Sequence, residues 1–188
     1  MGAIETRRQI VDAADRLFYE NGFEATSFAN IAQSVGLSRG NFYYHFRTKD
    51  EILGAVIESR KANARALLES FEVETGCPKM AVRRFIEMLV MNREKIMAHG
   101  CPVGTLCNEL AKLHHGAKDD ATGLFVLFRE WLARQFTALG RATEADSLAL
   151  HVLMRSQGVA ALATAFHDED FLRREVEDMN AWLDAKLA

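Results

Sequence analysis

TSFANIAQSVGLSRGNFYYHFRTK, residues 26–49, decides how the rest of the chain is read. It contains no Asp or Glu, although the 188-residue chain has 26 of them. Arg39, Arg47 and Lys49 give the window a charge of +3, which leaves −6 on the remainder for a net −3. Duplex DNA presents one negative charge per ~1.7 Å of axis, so such a window is a natural phosphate-facing surface. Charge alone does not separate that reading from a chance fluctuation on a solvated face. The pattern of breaks does. Ser27 can cap a short helix carrying Phe28, Ile31 and Ala32, Val35-Gly36-Leu37 reads as a tight turn, and Ser38 can cap a further short helix through His45. Two short helices joined by a glycine-containing turn are the helix-turn-helix arrangement.

Residue types within the second of those helices fit a groove. Ser38, Arg39, Gly40 and Asn41 offer hydrogen-bonding heads or bare backbone at its N-terminal end. Arg39 suits guanine O6 and N7, and Asn41 suits adenine or a phosphate. Gly40 removes bulk and lets the helix lie close to the groove floor. Tyr43 and Tyr44 can donate hydroxyls to phosphate oxygens, and Lys49 joins the amides at the start of the next helix in an anion site. Phe42 and Phe46 fit as core knobs. Tyr44 and His45 serve packing and DNA contact equally well.

Outward from this window the chain reads as all-α. Ile10, Ala14, Leu17 and Phe18 mark one face of a first helix, closed by Asn21-Gly22. Thr48 caps a long fourth helix, with Asp50 and Glu51 in its first turn, that carries Ile52, Val56, Leu67 and Leu68 to about Phe71. Thr75-Gly76-Cys77-Pro78 is a clear break. Five further helices are expected, roughly 78–98, 104–114, 119–139, 143–166 and 169–186. No period-two strand pattern of useful length occurs. The expected division is a helix-turn-helix domain over residues 1–50, a connecting fourth helix of about 49–71, and a second domain over 72–188.

The pattern Thr26-Ser27-Phe28-Ala29-Asn30-Ile31-Ala32, Gly36-Leu37-Ser38, Gly40, Phe42-Tyr43, His45-Phe46, Lys49 and Leu53 resembles the N-terminal domain of the TetR family of bacterial transcriptional regulators. Phe18, Gly22 and Phe23 are similar to the end of that family's first helix. Val35 departs from it, standing where Ala is commoner, which is a packing detail. The resemblance implies a nine-helix fold in which helices one to three bind DNA and the third is the recognition helix. It also implies a C-terminal ligand-binding and dimerisation domain, and a repressor that a small molecule releases from its operator. The DNA-binding residues expected are Thr26, Ser27, Ser38, Arg39, Gly40, Asn41, Tyr43, Tyr44, His45 and Lys49.

One recognition helix reads few base pairs, so a palindromic double-stranded operator calls for a homodimer. The last two helices are the expected interface. Leu148, Val152, Met154, Arg155, Val159, Leu162, Ala163 and Phe166 line one; Phe171, Val176, Met179, Trp182, Leu183 and Leu187 line the other. Some of these must be intrachain core. Large soft side chains interspersed with polar ones point to a small-molecule site. The expected set is Phe85, Met88, Leu89, Asn92, Cys101, Leu106, Leu110, Phe125, Phe128, Trp131, His151 and Met154, and the effector is hydrophobic or electrophilic.

Gly100-Cys101-Pro102-Val103-Gly104 is similar to a stretch that opens helix six in a subset of the family. A thiol at a helix start can be activated as a sensor, or Cys101 is a small residue filling a tight entry. Cys101 and Cys107 fall on different helix faces. His99, Cys101, Cys107, His114 and His115 match no metal-ligand spacing closely, so neither a metal nor a cofactor is expected. Three cysteines point to free thiols in a reducing cytosol, hence a cytoplasmic protein. No run of 18 apolar residues suggests a membrane span. G-x-S-x-G, P-loop, G-x-G-x-x-G and H-E-x-x-H patterns are all missing, so no enzyme is expected. The alternatives are a helical enzyme and an effector-independent DNA-binding protein on the same scaffold.

Overall fold

A computed structural model describes residues 2–188, apart from the side chain of Arg39. Among the described residues every regular element is a helix: α1 (Ala3–Asn21), α2 (Phe28–Ser34), α3 (Arg39–His45), α4 (Lys49–Thr75), α5 (Pro78–Met91), α6 (Arg93–His99), α7 (Pro102–Lys112), α8 (Lys118–Ala138), α9 (Ala145–Phe166) and α10 (Glu169–Lys186). The helix expected over 78–98 is broken at Asn92, and α5 and α6 are its two pieces. Counted together they restore the nine-helix plan. The break has a local cause. The Asn92 carboxamide donates to the Met88 carbonyl at 2.9 Å, onto which the Asn92 backbone N–H also closes at 3.0 Å. A side chain that competes for the helical ladder is a known weakness of Asn in helix interiors.

The ends follow elementary capping. Ser27 accepts from the Asn30 N–H while the Asn30 side chain receives the Ser27 N–H, a reciprocal box at the start of α2. Ser38 accepts from Asn41 at the start of α3, and Thr48 Oγ1 accepts from the Glu51 N–H at the start of α4. Gly22 closes α1 at φ +88°, a conformation that side chains rarely adopt.

Packing divides the chain into two units. One holds the chain up to Ala62 together with Thr105–Gly123; the other holds Asn63–Gly104 and Leu124–Ala188. In the first, Ile10, Ala14, Phe18, Phe23, Ile31, Phe42, Phe46, Ile52, Leu53 and Val56 are buried. Phe18 meets Phe23 edge-on at 5.2 Å, and Phe28 meets Phe42 edge-on at 4.7 Å. The Arg60 guanidinium closes onto Asp15 at 2.6 Å and ties α4 to α1.

In the second unit α10 packs on α5 and α9, and α6 packs on α9. Its core runs through Val82, Ile86, Trp131, Phe136, Val152, Leu172, Val176 and Leu183. Of the residues expected at a dimer face, Leu148, Val152, Val159, Ala163, Val176, Met179 and Leu183 are therefore intrachain core. Met154, Leu162 and Phe166 are exposed instead, and with the exposed Leu150, Gly158, Ala161 and Ala165 they form one stripe along α9 at helical spacing. No described helix is long and apolar enough to cross a membrane.

Candidate nucleic-acid interface

The turn between α2 and α3 is made by Gly36 at φ +64°, with its N–H on the Gln33 carbonyl and the Leu37 N–H on that of Ala32. Below it, Phe42 is wholly buried and Phe46 nearly so, so α3 has one face sunk in the core. Its other face is exposed. Ser38, Gly40, Asn41, Tyr43 and Tyr44 are exposed, as is Ser27 at the start of α2, and Tyr44 stands 78% exposed. Tyr43 leans on the Phe28 ring at 5.1 Å, which steadies it without covering it. His45 is half-buried, edge-on to Tyr44 at 5.1 Å. The role expected for the Arg39 side chain lies outside the described residues. Gly40 is informative because, beyond its chain neighbours and its own helix backbone, no atom lies within 4 Å of where a Cβ would stand. A helical glycine costs about 1 kcal/mol against alanine, and nothing inside the protein requires it. Close approach of an outside surface would.

Two expected contacts turn inward. Thr26 is buried, and its hydroxyl donates to the Gly22 carbonyl at 2.7 Å and to that of Leu17 at 3.2 Å. It closes the end of α1 and does not join the exposed face. Lys49 sends its ammonium to the Phe23 carbonyl at 2.9 Å and the Glu24 carbonyl at 3.4 Å, over the Phe23 ring at 4.1 Å. Two of its three donors are thus used on the turn after α1, and its cation is held by carbonyl dipoles and an aromatic face.

A partner of Lys49 in this lock was not singled out as a DNA-site residue from sequence. Glu109 on α7 accepts the consecutive N–H groups of Phe23 and Glu24, each at 2.9 Å, from more than 80 positions away. The turn is therefore held by a carboxylate on its amides and an ammonium on its carbonyls. His115 adds an edge contact to Phe23 at 5.0 Å and lies 3.5 Å from Asp50. Gly22 belongs to the same device, because a Cβ there would stand 3.1 Å from a Glu109 oxygen. Arg7 rests 4.6 Å over the Phe46 ring, bringing another cation beside the end of α3.

Lys49→Ala is accordingly expected to lower stability by about 1–3 kcal/mol and to leave the salt dependence of DNA binding unchanged. Thermal unfolding and binding titrations between low and moderate salt check both. A fall in the log–log slope of about 0.9, the value for one phosphate, would return Lys49 to the interface.

The residues expected around a small molecule are only partly brought together. Phe85 lies stacked on Trp131 at 6.0 Å and edge-on to Phe128 at 5.5 Å, within the core that holds Leu89 and has Met88 packed on it. Phe125 is half-buried. Asn92 is exposed and bonded back to its own helix. Leu106 and Leu110 are buried in the first unit, with α1–α3. Met154 is 65% exposed on the outer stripe of α9 and does not join the cluster. His151 stacks on Trp182 at 4.3 Å. Burial, and then the cations Arg155 and Lys186, push its pKa below the usual imidazole value and favour the neutral ring. Cys101 is half-buried and its sulfur accepts from Gln157 Nε2 at 3.3 Å. All three cysteines are free thiols, and no group of three His, Cys, Asp or Glu residues among the described residues is placed to hold a metal ion.

An all-helical chain with a capped helix-turn-helix, exposed polar residues on its second helix and a further helical unit falls in the class of helix-turn-helix proteins. Residues 10–56 match the profile of the family described as bacterial regulatory proteins, tetR family. The chain is 35% identical over 109 residues to the HTH-type transcriptional regulator TtgR of Pseudomonas putida, covering 53% of this chain and 52% of that one. It thus spans about half the length of that relative. An uncharacterized HTH-type transcriptional regulator of Lactococcus lactis is 27% identical over 171 residues, covering 89% and 87% of the two chains. A TetR transcriptional regulator from Legionella pneumophila superposes with TM-score 0.82 at 23% identity over 96% of each chain. Its N-terminal segment thus matches the tetR family profile, and its fold is similar to that of the solved TetR regulator.

Proposed function

We propose that the protein is a homodimeric transcriptional regulator that represses from a palindromic operator and is released by a small apolar effector. The observation that carries this reading is the exposed polar face of α3, with Ser38, Gly40, Asn41, Tyr43 and Tyr44 at the surface of a helix anchored by Phe42. In this reading residues 1–50 read DNA, α4 connects, and the remainder binds the effector and dimerises, in the cytoplasm where the operator is. The apolar stripe of α9 supports a second copy as partner, because contiguous exposed apolar surface marks interaction sites. The aromatic group of Phe85, Phe128 and Trp131 supports the effector site. Cys101, held by Gln157 at the start of α7, is the residue an electrophilic effector would meet.

The test is binding of the full chain to its own upstream DNA, followed by fluorescence anisotropy, then challenge with a panel of apolar compounds and with diamide. A saturable complex that a panel member dissolves is expected. Loss of the diamide response in Cys101→Ser, with DNA affinity kept, would assign an electrophile response to that thiol. Absence of any complex would favour a helical enzyme on this scaffold. A complex that no compound disturbs would favour an effector-independent binder.

A further inference from the structure

Trp131 is 2% exposed, yet its Nε1 atom is buried with no hydrogen-bond partner in the protein. Buried donors are nearly always paired, and leaving one unmade is costly. Several other buried or half-buried polar side chains of the same unit are satisfied: Gln135 donates to Glu72 at 2.7 Å, Ser156 to the Val152 carbonyl at 2.8 Å, and Thr164 to the Ile96 carbonyl at 2.6 Å. Arg83, His151 and Asn180 also have a buried unpaired atom, but each is only half-buried, whereas Trp131 is 2% exposed. The bulk of the indole fills the core, but that packing leaves its donor unanswered.

The surroundings narrow what could answer that donor. Phe85 stacks on the indole at 6.0 Å with 30° between planes, and Phe128 meets Phe85 edge-on. Met88 and Met97, both half-buried, pack on the same core and are the most deformable of the apolar side chains. Among the described residues no charged side chain is buried. An ion placed there would lose its hydration without compensation. The geometry points to Trp131 Nε1 as the hydrogen-bond anchor of the effector site, and to an uncharged aromatic compound carrying an acceptor oxygen, of the ketone, ester or ether kind, as its ligand. The ring is taken against Phe85 and Phe128, with Met88 and Met97 yielding. This rests on the effector reading above and adds the chemical class to it.

The experiment compares two probes of one shape, 2-acetonaphthone and 2-isopropenylnaphthalene, in which a carbonyl oxygen is exchanged for a methylene. The chain has two tryptophans, so Trp182→Phe leaves a single indole N–H signal in nitrogen-15 spectra. The ketone is expected to move that signal downfield and slow its exchange with solvent; the alkene is expected to do neither. In calorimetry Trp131→Phe is expected to weaken the ketone about five- to thirtyfold and the alkene by less than about twofold. If that variant does not fold, the spectra of Trp182→Phe decide alone. Equal responses to the two probes, an unmoved signal while the ketone binds, or no binding of the ketone would each overturn the anchor. A ketone that binds without engaging Trp131 leaves the effector reading standing. That reading falls separately, if no compound of the panel dissolves the DNA complex.

Discussion

Phe42→Ala is expected to abolish specific DNA binding while most of the helical content survives. Phe42 is wholly buried, edge-on to Phe28 at 4.7 Å, and sits at the middle of the seven-residue α3. Truncating a core phenylalanine costs about 3–5 kcal/mol, a large part of the 5–15 kcal/mol by which domains of ordinary size are stable. A helix of two turns has no stability of its own and exists only through such packing. The loss therefore falls on the element that presents Ser38, Gly40 and Asn41. The second unit has its own core, around Val82, Trp131 and Leu172, which the substitution does not touch. Circular dichroism should show a modest loss of helix and a lower first transition, and anisotropy should show no saturable complex. Phe42→Leu, which keeps much of the volume, should retain binding with a smaller loss of stability. Wild-type affinity in Phe42→Ala would mean that α3 is not held by this contact.

The second large effect is expected from Met154→Glu with Leu162→Glu. Both positions are exposed in the single chain, at 65% and 43%. Surface changes of this kind usually leave a fold within about 0.5 kcal/mol, so the chain should remain folded. Yet the carboxylates would lie in the α9 stripe where a second copy is proposed to sit, and desolvating them there is unfavourable. Analytical ultracentrifugation is expected to find a dimer in the wild type and a monomer in the variant. Operator affinity should fall about 10²–10⁴-fold, the usual gain from tethering a second binding event. An unchanged dimer would move the interface to another surface.

Local features were legible from sequence because their causes are local. Ser27, Ser38 and Thr48 cap the helices they were expected to cap, and Gly22 and Gly36 take the positive φ their positions required. Features that depend on distant partners were not. Nothing in the order of residues says that Glu109 reaches the amides of Phe23 and Glu24, or that Lys49 finds their carbonyls. Thr26 looked like a polar contact because its type suits one, but the open end of α1 takes its hydroxyl first. On α9 the apolar residues run around the whole helix, so periodicity could not separate the buried Leu148 and Val152 from the exposed Met154 and Leu162. The break at Asn92 depends on one side chain displacing one rung of a ladder, which an otherwise continuous apolar pattern conceals.

One proposed arrangement underlies these expected results: the exposed face of α3, presented twice by a symmetric pair of chains, reads DNA. Hydroxyl-radical footprinting of the full chain on its selected upstream sequence tests this most directly. Two protected patches related by a twofold axis are predicted, their centres separated by about 34 Å, one turn of the duplex, or a multiple of it, with Asn41→Ala weakening both patches equally. A single asymmetric patch, or twofold protection indifferent to Asn41 and to the other exposed residues of α3, would contradict it.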